Sequence, residues 1–233
     1  MNKMIVLCST ICMLLLAACD SNKLYDSRDG KTYRTVTIGT QTWMAENLNY
    51  SDSIAAPGLI GRTICYNNSL DSCAKYGRLY NWAAAMDSAG TFSTDAKGCG
   101  YYPNAKKFYE NCKPSRQVRG ICPKGWHLPS KAEWEILYAT LGTRYAMQAK
   151  GFKDWSDATD AFGFSALPAG YAIRYSSKDV FCCVGGIARF WSTDWIGYKD
   201  ASVWQLEDDA YSTKFEELQI YNAVSVRCVK DGE

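Results

Sequence analysis

The chain has 233 residues, of which 47% are hydrophobic and 14% aromatic, with 26 basic and 24 acidic side chains. This composition is sufficient for a hydrophobic core and excludes an intrinsically disordered or low-complexity chain. A charge balance close to zero, without a basic run, excludes a protein that binds nucleic acid through its phosphates.

The N-terminus has the pattern of a bacterial lipoprotein signal. Lys3 supplies a short positive segment, residues 4–16 are apolar, and the ending Leu16-Ala17-Ala18-Cys19 is the one that the lipoprotein peptidase requires. The apolar run is shorter than the roughly 20 residues that a bilayer-spanning helix needs. We therefore expect residues 1–18 to be removed and Cys19 to carry the lipid anchor, because two or more acyl chains anchor stably. An ordinary signal peptide and a signal-anchor helix are the alternatives.

Cysteine usage points to disulfides. Of the 11 cysteines, eight remain once the signal peptide and the lipidated residue are set aside. Thiols outside the inner membrane are oxidised, so these eight would form up to four disulfides. A zinc site is the rival use, but the sequence has no pair of C-x-x-C units and the compartment disfavours it.

Eight cysteines allow 105 different sets of four disulfides, and only their proximity in the sequence reduces this number. Three candidate pairings are Cys65 with Cys73, Cys99 with Cys112, and Cys122 with Cys228. Cys182 and Cys183 are adjacent, so they form either a strained vicinal bond or separate bonds elsewhere, with Cys99 and Cys112 as candidate partners. The pairing of these last four cysteines stays open.

Two early segments predict buried β-structure. Residues 33–38 alternate threonine with larger side chains, Gly39-Thr40 makes a turn and residues 42–45 return, which predicts a hairpin. Residues 77–86 predict the end of a buried strand that runs into a short helix.

The clearest helix is predicted over residues 131–141. Ser130 and Glu133 form an S-x-x-E capping box before it, and Gly142 stops it. A weaker helix over residues 146–150 follows. Short aromatic strands are then predicted over residues 164–167, 189–192, 202–206 and 223–229. This order predicts one α+β domain over residues 25–233 behind a short tether over residues 19–24.

Several long motifs resemble the Fibrobacter succinogenes major paralogous domain, over about residues 26–231. The matching stretches are DSRDGKTY (26–33), QTWMAENLNY (41–50), YGRLYNWAAAM (76–86), CPKGWHLPSKAEWE (122–135), GFSALPAGY (163–171) and SVRCVKD (225–231). The resemblance implies an exported, lipid-anchored bacterial protein and assigns no activity. Residues 88–120 depart from the family pattern as an insertion that carries Cys99 and Cys112. We expect the Cys182-Cys183 pair to staple this insertion to the strand region.

The family in turn resembles the C-type lectin-like superfamily, which includes the formylglycine-generating enzymes. Residues 129–135 are similar to a helix entry of those enzymes, and residues 226–229 to a closing strand. The resemblance implies a C-type lectin-like or sulfatase-modifying-factor-like α+β fold, loop-rich and disulfide-stapled, with short antiparallel strands and one or two helices. It also supports Cys122 with Cys228, because a helix cysteine joins the last strand in lectin-like folds. The enzymes need a redox cysteine pair, and only Cys228 lies in the matching stretch.

No residue pattern predicts a catalytic site. His127 is the only histidine and is expected to be structural, because it lies at a helix entry. The acidic turn at residues 207–209 offers carboxylates to calcium, but no calcium motif accompanies it, so no cofactor or metal is expected. Aromatic and acidic side chains that would stack on and hydrogen-bond to sugars crowd residues 194–209. This candidate ligand surface comprises Asp194, Trp195, Tyr198, Trp204, Asp208 and Asp209.

These expectations describe a lipid-anchored binding or adhesion module of the cell envelope, with polysaccharide as a candidate ligand and the membrane as a partner through Cys19. A structural or assembly lipoprotein with a protein partner is the first alternative. An enzyme, either hydrolytic or formylglycine-generating-like, is the second. Asp20 follows the anchor, which retains lipoproteins at the inner membrane in enteric bacteria, but the family context favours the outer membrane.

Overall fold

The computed structural model describes residues 22–100, 114, 117–175, 178–197, 199–208 and 214–232. The predicted anchor Cys19 and the insertion cysteine Cys112 lie outside the described residues, and so do Tyr198 and Asp209 of the predicted ligand surface. Within these ranges no helix has both the length and the apolar character needed to cross a membrane.

Thirteen strands and four α-helices make up the described part of the chain. The strands are β1 (Lys23–Asp26), β2 (Lys31–Ile38), β3 (Gln41–Met44), β4 (Thr63–Ile64), β5 (Leu79–Asn81), β6 (Trp126–His127), β7 (Tyr171–Tyr175), β8 (Lys178–Cys182), β9 (Ala188–Gly197), β10 (Asp200–Leu206), β11 (Lys214–Gln219), β12 (Ala223–Val224) and β13 (Val229–Lys230). The helices are α1 (Leu70–Tyr76), α2 (Trp82–Ala85), α3 (Lys131–Leu141) and α4 (Arg144–Met147). Single turns of 3-10 helix cover Pro57–Leu59, Tyr66–Asn68 and Lys153–Trp155.

The strands form three antiparallel sheets. Sheet A has the order β1-β2-β3-β13-β6, sheet B the order β11-β10-β9, and sheet C the order β4-β5-β12-β7-β8. The C-terminal segment, residues 223–230, takes part in all three, because β12 lies in sheet C and β13 in sheet A, while Ser225 bridges to Phe190 of sheet B. One short segment therefore ties the sheets together.

The predicted hairpin near the start of the domain is confirmed by β2 and β3. These strands pair across the Gly39-Thr40 turn, where Gly39 has φ +58°, a left-handed conformation that glycine adopts without steric cost. In β2, Tyr33 and Thr35 are buried on either side of exposed Arg34, and Ile38 is buried at the end of the strand. The strand and short helix predicted over residues 77–86 are likewise confirmed, as β5 and α2.

The helix predicted over residues 131–141 is confirmed as α3, with the same limits. The Glu133 carboxylate accepts a hydrogen bond from Ser130 N at 2.8 Å, and Ser130 Oγ accepts one from Glu133 N at 3.3 Å, which completes the capping box. Gly142 ends the helix in the left-handed conformation. Buried Trp134 and Leu137 lie on α3, which packs against β2, β9 and β10.

Other elements differ from their predicted limits, among them β9 and β10, which extend beyond residues 189–192 and 202–206. Helix α4 starts at Arg144 rather than Ala146, because the Thr143 side chain caps it by accepting from Tyr145 N. The strand predicted over residues 164–167 is reduced to a bridge between Ala166 and Gln148. The strand predicted over residues 223–229 is divided into β12 and β13, since each half pairs with a different sheet.

The predicted α+β class with one or two helices is wrong, because the protein is mostly β. Helices α1, α2 and α4 have only seven, four and four residues, whereas three sheets contain thirteen strands in the described chain. The missed strands include β7, β8 and β11, which carry charged residues and have no clean apolar alternation. β8 and β11 lie at sheet edges, where charged side chains are common and the apolar pattern weakens.

The core is divided into two main clusters. Cluster 1 contains Trp82, Trp126 and Trp191, and cluster 2 contains Trp43 and Trp134. A third, smaller cluster lies in sheet C. The many tryptophans that the composition reveals are therefore mainly core residues, and few remain for a ligand surface.

Disulfide bonds join the sheets and the loops, as the cysteine count predicts. Cys65 is bonded to Cys73, closing a short loop before β5, and Cys122 to Cys228, joining the segment before β6 to the segment before β13. Cys99 is also disulfide-bonded and is fully buried in cluster 1. Its predicted partner Cys112 lies outside the described residues.

The predicted staple between the insertion and the Cys182-Cys183 pair is wrong. Cys182 and Cys183 are bonded to each other at the end of β8, so neither sulfur is available to Cys99 or Cys112. The bond lies where β8 ends and the backbone turns. In this turn Cys183 has φ +71°, and its carbonyl oxygen accepts a hydrogen bond from Ile187 N at 3.0 Å. The vicinal alternative is the one that the structure contains.

Candidate functional site

An open pocket of about 420 Å³ lies where the ends of sheets B and C meet. We call it the cationic pocket because three of its described lining residues, Arg62, Arg174 and Lys199, are basic. The remaining lining residues are Ile60, Gly61, Asn81, Gly100, Ile220 and Tyr221. Residues that are far apart in the sequence thus share one concave surface, as in a typical ligand site.

Two strands of sheet C position Arg174. It lies opposite Asp179 in the register of β7 and β8, and the Asp179 carboxylate accepts from Nε at 2.9 Å and from Nη2 at 3.1 Å. Nη1 also donates to Gly61 O at 2.8 Å. Described residues therefore occupy three of the five N–H groups, and one N–H on each of Nη1 and Nη2 remains. The guanidinium is held in place while keeping two donors.

The opposite wall is built from the turn before β4 and the end of β5. Arg62 Nη1 donates to Ser88 Oγ at 3.2 Å, and the carbonyl oxygen of Arg62 accepts from Asn81 N at 3.0 Å. Asn81 Oδ1 caps α2 by accepting from Ala84 N at 2.9 Å. The Asn81 amide also carries two N–H donors on Nδ2.

The turns at the end of sheet B supply Lys199 and Tyr221, the one aromatic ring among the described lining residues. Lys199 lies between β9 and β10, and its carbonyl oxygen accepts from Ile220 N at 2.8 Å. Ile220 is buried, which fixes the turn that carries Tyr221. The Tyr221 side chain is 37% exposed and its hydroxyl donates to Gln219 Oε1. The pocket combines an accessible ring with cationic and polar donors.

The predicted ligand surface at residues 194–209 does not form one site. Trp204 is 4% exposed, belongs to cluster 2 and stacks on Trp134 at a centroid distance of 6.2 Å. Trp195 instead packs against cluster 1 and lies opposite Ala201 at the start of β10. The two rings therefore contribute to separate parts of the core.

The acidic members of that surface also lie apart. Asp194 Oδ2 accepts from Lys131 N at 2.6 Å, at the start of α3. Asp208 is exposed beyond the end of β10, where its carbonyl oxygen accepts from Arg144. Within the described residues no group of three or more His, Cys, Asp or Glu side chains is arranged to hold a metal ion.

His127 lies at a second pocket, of about 360 Å³, and is only 4% exposed. Its Nε2 is 2.6 Å from Glu133 Oε1, and its Nδ1 is 2.9 Å from Asp231 Oδ1. Burial lowers the pKa of His127, but hydrogen bonds and charges of the two carboxylates outweigh it and raise the pKa above its ordinary value. Burial alone would raise the pKa of Glu133. The hydrogen bonds and charge of His127 and the hydrogen bonds of Ser130 outweigh burial, so the pKa of Glu133 is lowered. With both ring nitrogens engaged, this imidazole joins α3, β6 and the C-terminal segment.

Sequence reasoning did not find the cationic pocket. Its three cations come from the turn before β4, from β7 and from the turn before β10, and no local motif marks any of them. Arg62 and Tyr221 lie in loops between strands, where single polar and aromatic residues are common and give no sign of a ligand site. Only the packing of sheet B against sheet C brings them together.

The architecture is that of a disulfide-bonded, mostly β domain with a concave site at the meeting of two sheets. The chain matches the family model of the Fibrobacter succinogenes major domain over residues 36–230 and belongs to that family. Comparison with curated proteins and with solved structures gives no significant match. The family resemblance inferred from the motifs is therefore confirmed, and the family match assigns no activity.

Proposed function

We propose that the protein is a lipid-anchored binding or adhesion module of the cell envelope that holds a polysaccharide in the cationic pocket. The observation that carries this proposal is the combination of an accessible Tyr221 ring with the donors of Arg174 and Asn81 around an open pocket. Sugar rings stack on aromatic faces, while their hydroxyl groups need fixed hydrogen-bonding partners. The surrounding hydrogen bonds hold these donors in place before a ligand arrives.

The proposed anchor is Cys19, and the outer membrane is the proposed location. Strand β1 starts at Lys23, inside the segment expected to be a tether. Four peptide units at full extension span about 14 Å, so a lipidated Cys19 would keep the domain close to the bilayer surface. Such a module would collect ligands at the membrane on which it sits.

Two observations favour a binding role over the enzymatic alternatives. Cys228, the one cysteine in the stretch that resembles formylglycine-generating enzymes, is bonded to Cys122 and fully buried. His127 has both ring nitrogens occupied by carboxylates, so it is poorly placed to act as a general base. The placement among C-type lectin-like proteins stays a prediction from the sequence, and the pocket supports the proposed function without it.

For the assembly alternative, with a protein partner, the candidate contact residues are exposed apolar side chains outside the pocket. Ile54 is 92% exposed and Leu70 is 74% exposed. The double substitution Ile54→Ser and Leu70→Ser should leave polysaccharide binding unchanged if the pocket is the site.

A glycan array tests the proposed function. The mature chain, residues 19–233 with Cys19→Ser, should bind a subset of polysaccharides, and Tyr221→Ala should weaken that binding at least tenfold, as expected for loss of a stacking ring. Tyr25→Ala is the matched control, because Tyr25 is a 65% exposed tyrosine on β1, outside the pocket. An array without any binding, or equal loss in both variants, would contradict the proposal.

A further inference from the structure

We infer that the Cys182-Cys183 disulfide is a site of reversible thiol–disulfide exchange, and that its redox state controls the turn that follows β8. Residues 183–187 form this turn, which we call the vicinal turn. The proposed co-reactant is a dithiol reductant. This redox site would be independent of the ligand proposed for the cationic pocket.

The Cys182-Cys183 pair differs from the other disulfides in its exposure. Both of its cysteines are partly exposed, and the neighbouring Val184 is 37% exposed. The pair lies at the end of β8, and no described strand pairs with the outer side of that edge strand. The cysteines of the other two fully described disulfides are buried; these are Cys65 with Cys73 and Cys122 with Cys228. Because a thiolate must reach a sulfur to open a disulfide, the exposed pair should exchange first.

Opening this bond should leave the rest of the fold in place. Cys182 and Cys183 are adjacent, so their bond closes almost no loop of the unfolded chain. The Cys122-Cys228 bond joins residues 106 positions apart, so its loss would instead release a long loop. The adjacent pair is therefore suited to being reduced and oxidised again while the domain stays folded.

The vicinal turn is held against neighbouring loops through its backbone. Gly185 N donates a hydrogen bond to Pro168 O at 2.8 Å, in the segment before β7. The indole Nε1 of Trp155 donates to Gly186 O at 2.8 Å. A change in the conformation of the turn would therefore reach the segment before β7 and the single 3-10 turn that carries Trp155.

The conformation of Cys183 explains why the turn would depend on the bond. Its φ of +71° lies in the left-handed region, which is unfavourable for a residue with a side chain. The disulfide closes a ring through both cysteines, which limits rotation of the backbone between them. With the bond open, Cys183 is free to leave this conformation, and its carbonyl oxygen would lose the hydrogen bond from Ile187 N. Reduction would thus release the vicinal turn.

The exchange balances with a dithiol as the reductant. One thiolate of the dithiol attacks a sulfur of the pair, so the bond between the two cysteines breaks and a mixed disulfide forms. The second thiol of the reductant then displaces the cysteine sulfur, which leaves two protein thiols and a cyclic disulfide. Two electrons and two protons pass from the dithiol to the protein. A disulfide oxidant such as oxidised glutathione reverses the exchange and is itself reduced to two thiols.

Titration of the folded mature chain carrying Cys19→Ser with dithiothreitol tests the redox site. Free thiols are trapped with excess iodoacetamide in denaturant, and mass spectrometry follows the tryptic peptide Asp179–Arg189, which contains this pair and no other cysteine. The bond of Cys65 with Cys73 is the matched control, because its sequence separation is only 8 residues and both cysteines are buried. We expect the pair to be half reduced at a dithiothreitol concentration about tenfold or more below that of the control. Oxidised glutathione should then restore the unalkylated peptide.

Hydrogen exchange tests the effect on the vicinal turn. In the protein with only this pair reduced, the amides of Gly185 and Ile187 should exchange about tenfold faster or more, because their hydrogen bonds are lost. Amides of the hairpin formed by β2 and β3 should be unchanged. The double variant Cys182→Ser with Cys183→Ser should exchange rapidly in the turn at all times, and the same dithiothreitol concentration should not change it further.

Each outcome supports or overturns a part of the inference. Reduction of either buried disulfide at the same or a lower dithiothreitol concentration would overturn the redox site. Failure of oxidised glutathione to restore the bond would overturn its reversibility. Unchanged exchange of Gly185 and Ile187 after reduction would overturn control of the turn, and so would a response to dithiothreitol that persists in the double variant. The glycan array is read separately, so none of these results decides the proposed polysaccharide binding.

Discussion

Arg227 is a fully buried arginine without a carboxylate partner among the described residues. Its guanidinium donates to Asn47 Oδ1 at 2.9 Å, to Ser165 O at 2.5 Å and to Phe164 O, and it lies 4.5 Å from the centre of the Phe164 ring. Burial lowers the pKa of Arg227 to about 9. The side chain thus connects the segment after β3, the loop at residues 164–165 and the C-terminal segment.

Replacing this arginine tests its structural role. We expect Arg227→Lys to lower the free energy of unfolding by about 2–4 kcal/mol, because a single ammonium group cannot satisfy all of these acceptors. Urea unfolding measures the change. Arg34→Lys is the control, since Arg34 is exposed and its contact with Glu46 is 3.6 Å long, so its effect should stay within about 0.5 kcal/mol. Similar losses in both variants would show that Arg227 is not the connecting group.

The His127 network predicts a pH dependence of stability. Because the folded-state pKa of His127 is raised above 6.5, its stabilising contribution is fully present below pH 6.5 and is lost as pH rises through the folded pKa. Because the folded-state pKa of Glu133 is lowered below 4.5, its contribution is present above pH 4.5 and is lost as pH falls through the folded pKa. Both contributions coincide between pH 4.5 and 6.5.

Urea unfolding at pH 5.5 and pH 8.5 checks this dependence. The wild type should be more stable at pH 5.5, and His127→Gln should remove the difference, since the chain has no other histidine. The prediction would be wrong if His127→Gln retained the same difference between the two pH values.

Among the elements, the segment of residues 223–230 contacts all three sheets. It adds β12 to sheet C and β13 to sheet A, bridges to sheet B through Ser225, and carries both Arg227 and Cys228. Cys122 and Cys228 are separated by 106 residues in the sequence, whereas Cys182 and Cys183 are adjacent. The two bonds therefore constrain the unfolded chain very differently.

Removing these disulfides should have unequal effects on stability. In the chain-entropy model the Cys122→Ala and Cys228→Ala pair should cost about 4–5 kcal/mol, because it opens a loop of roughly 100 residues. The Cys182→Ala and Cys183→Ala pair should cost about 1 kcal/mol, because adjacent residues close almost no loop. Thermal and urea unfolding of both double variants give the comparison, and equal losses would contradict it.

Elements with local signals were predictable, and elements without them were not. Helix α3 has its capping box, its apolar face and its terminal glycine within 13 residues, from Ser130 to Gly142, so its limits follow from neighbouring residues. The hairpin of β2 and β3 has alternation and a glycine turn. Strands β7 and β8 have neither, because their order comes from pairing with each other and with β12. Their absence from the sequence prediction led to the wrong fold class.

For the whole molecule, the distance between the proposed anchor and the first strand would decide how far the domain lies from the membrane. With β1 starting at Lys23, an acylated Cys19 leaves almost no linker. Cys19→Ser should move the protein from the membrane fraction to the soluble fraction and abolish incorporation of labelled fatty acid. Cys182→Ser is the matched control, because its sulfur is in a disulfide and should not be acylated. Membrane retention of Cys19→Ser would contradict the proposed anchor.

The sequence by itself determined the family, the cysteine content, helix α3 and the first hairpin. Each of these depends on residues that are close together or on long motifs that follow one another in the order typical of the family. It also predicted the anchor, which lies outside the described residues. Only the tertiary structure decided that the fold is mostly β, that Trp204 belongs to the core and that Arg62, Arg174 and Tyr221 share a pocket. The reason is physical: sheet edges and pockets are created by pairing and packing between distant segments, and no local pattern of side chains encodes which segments will meet.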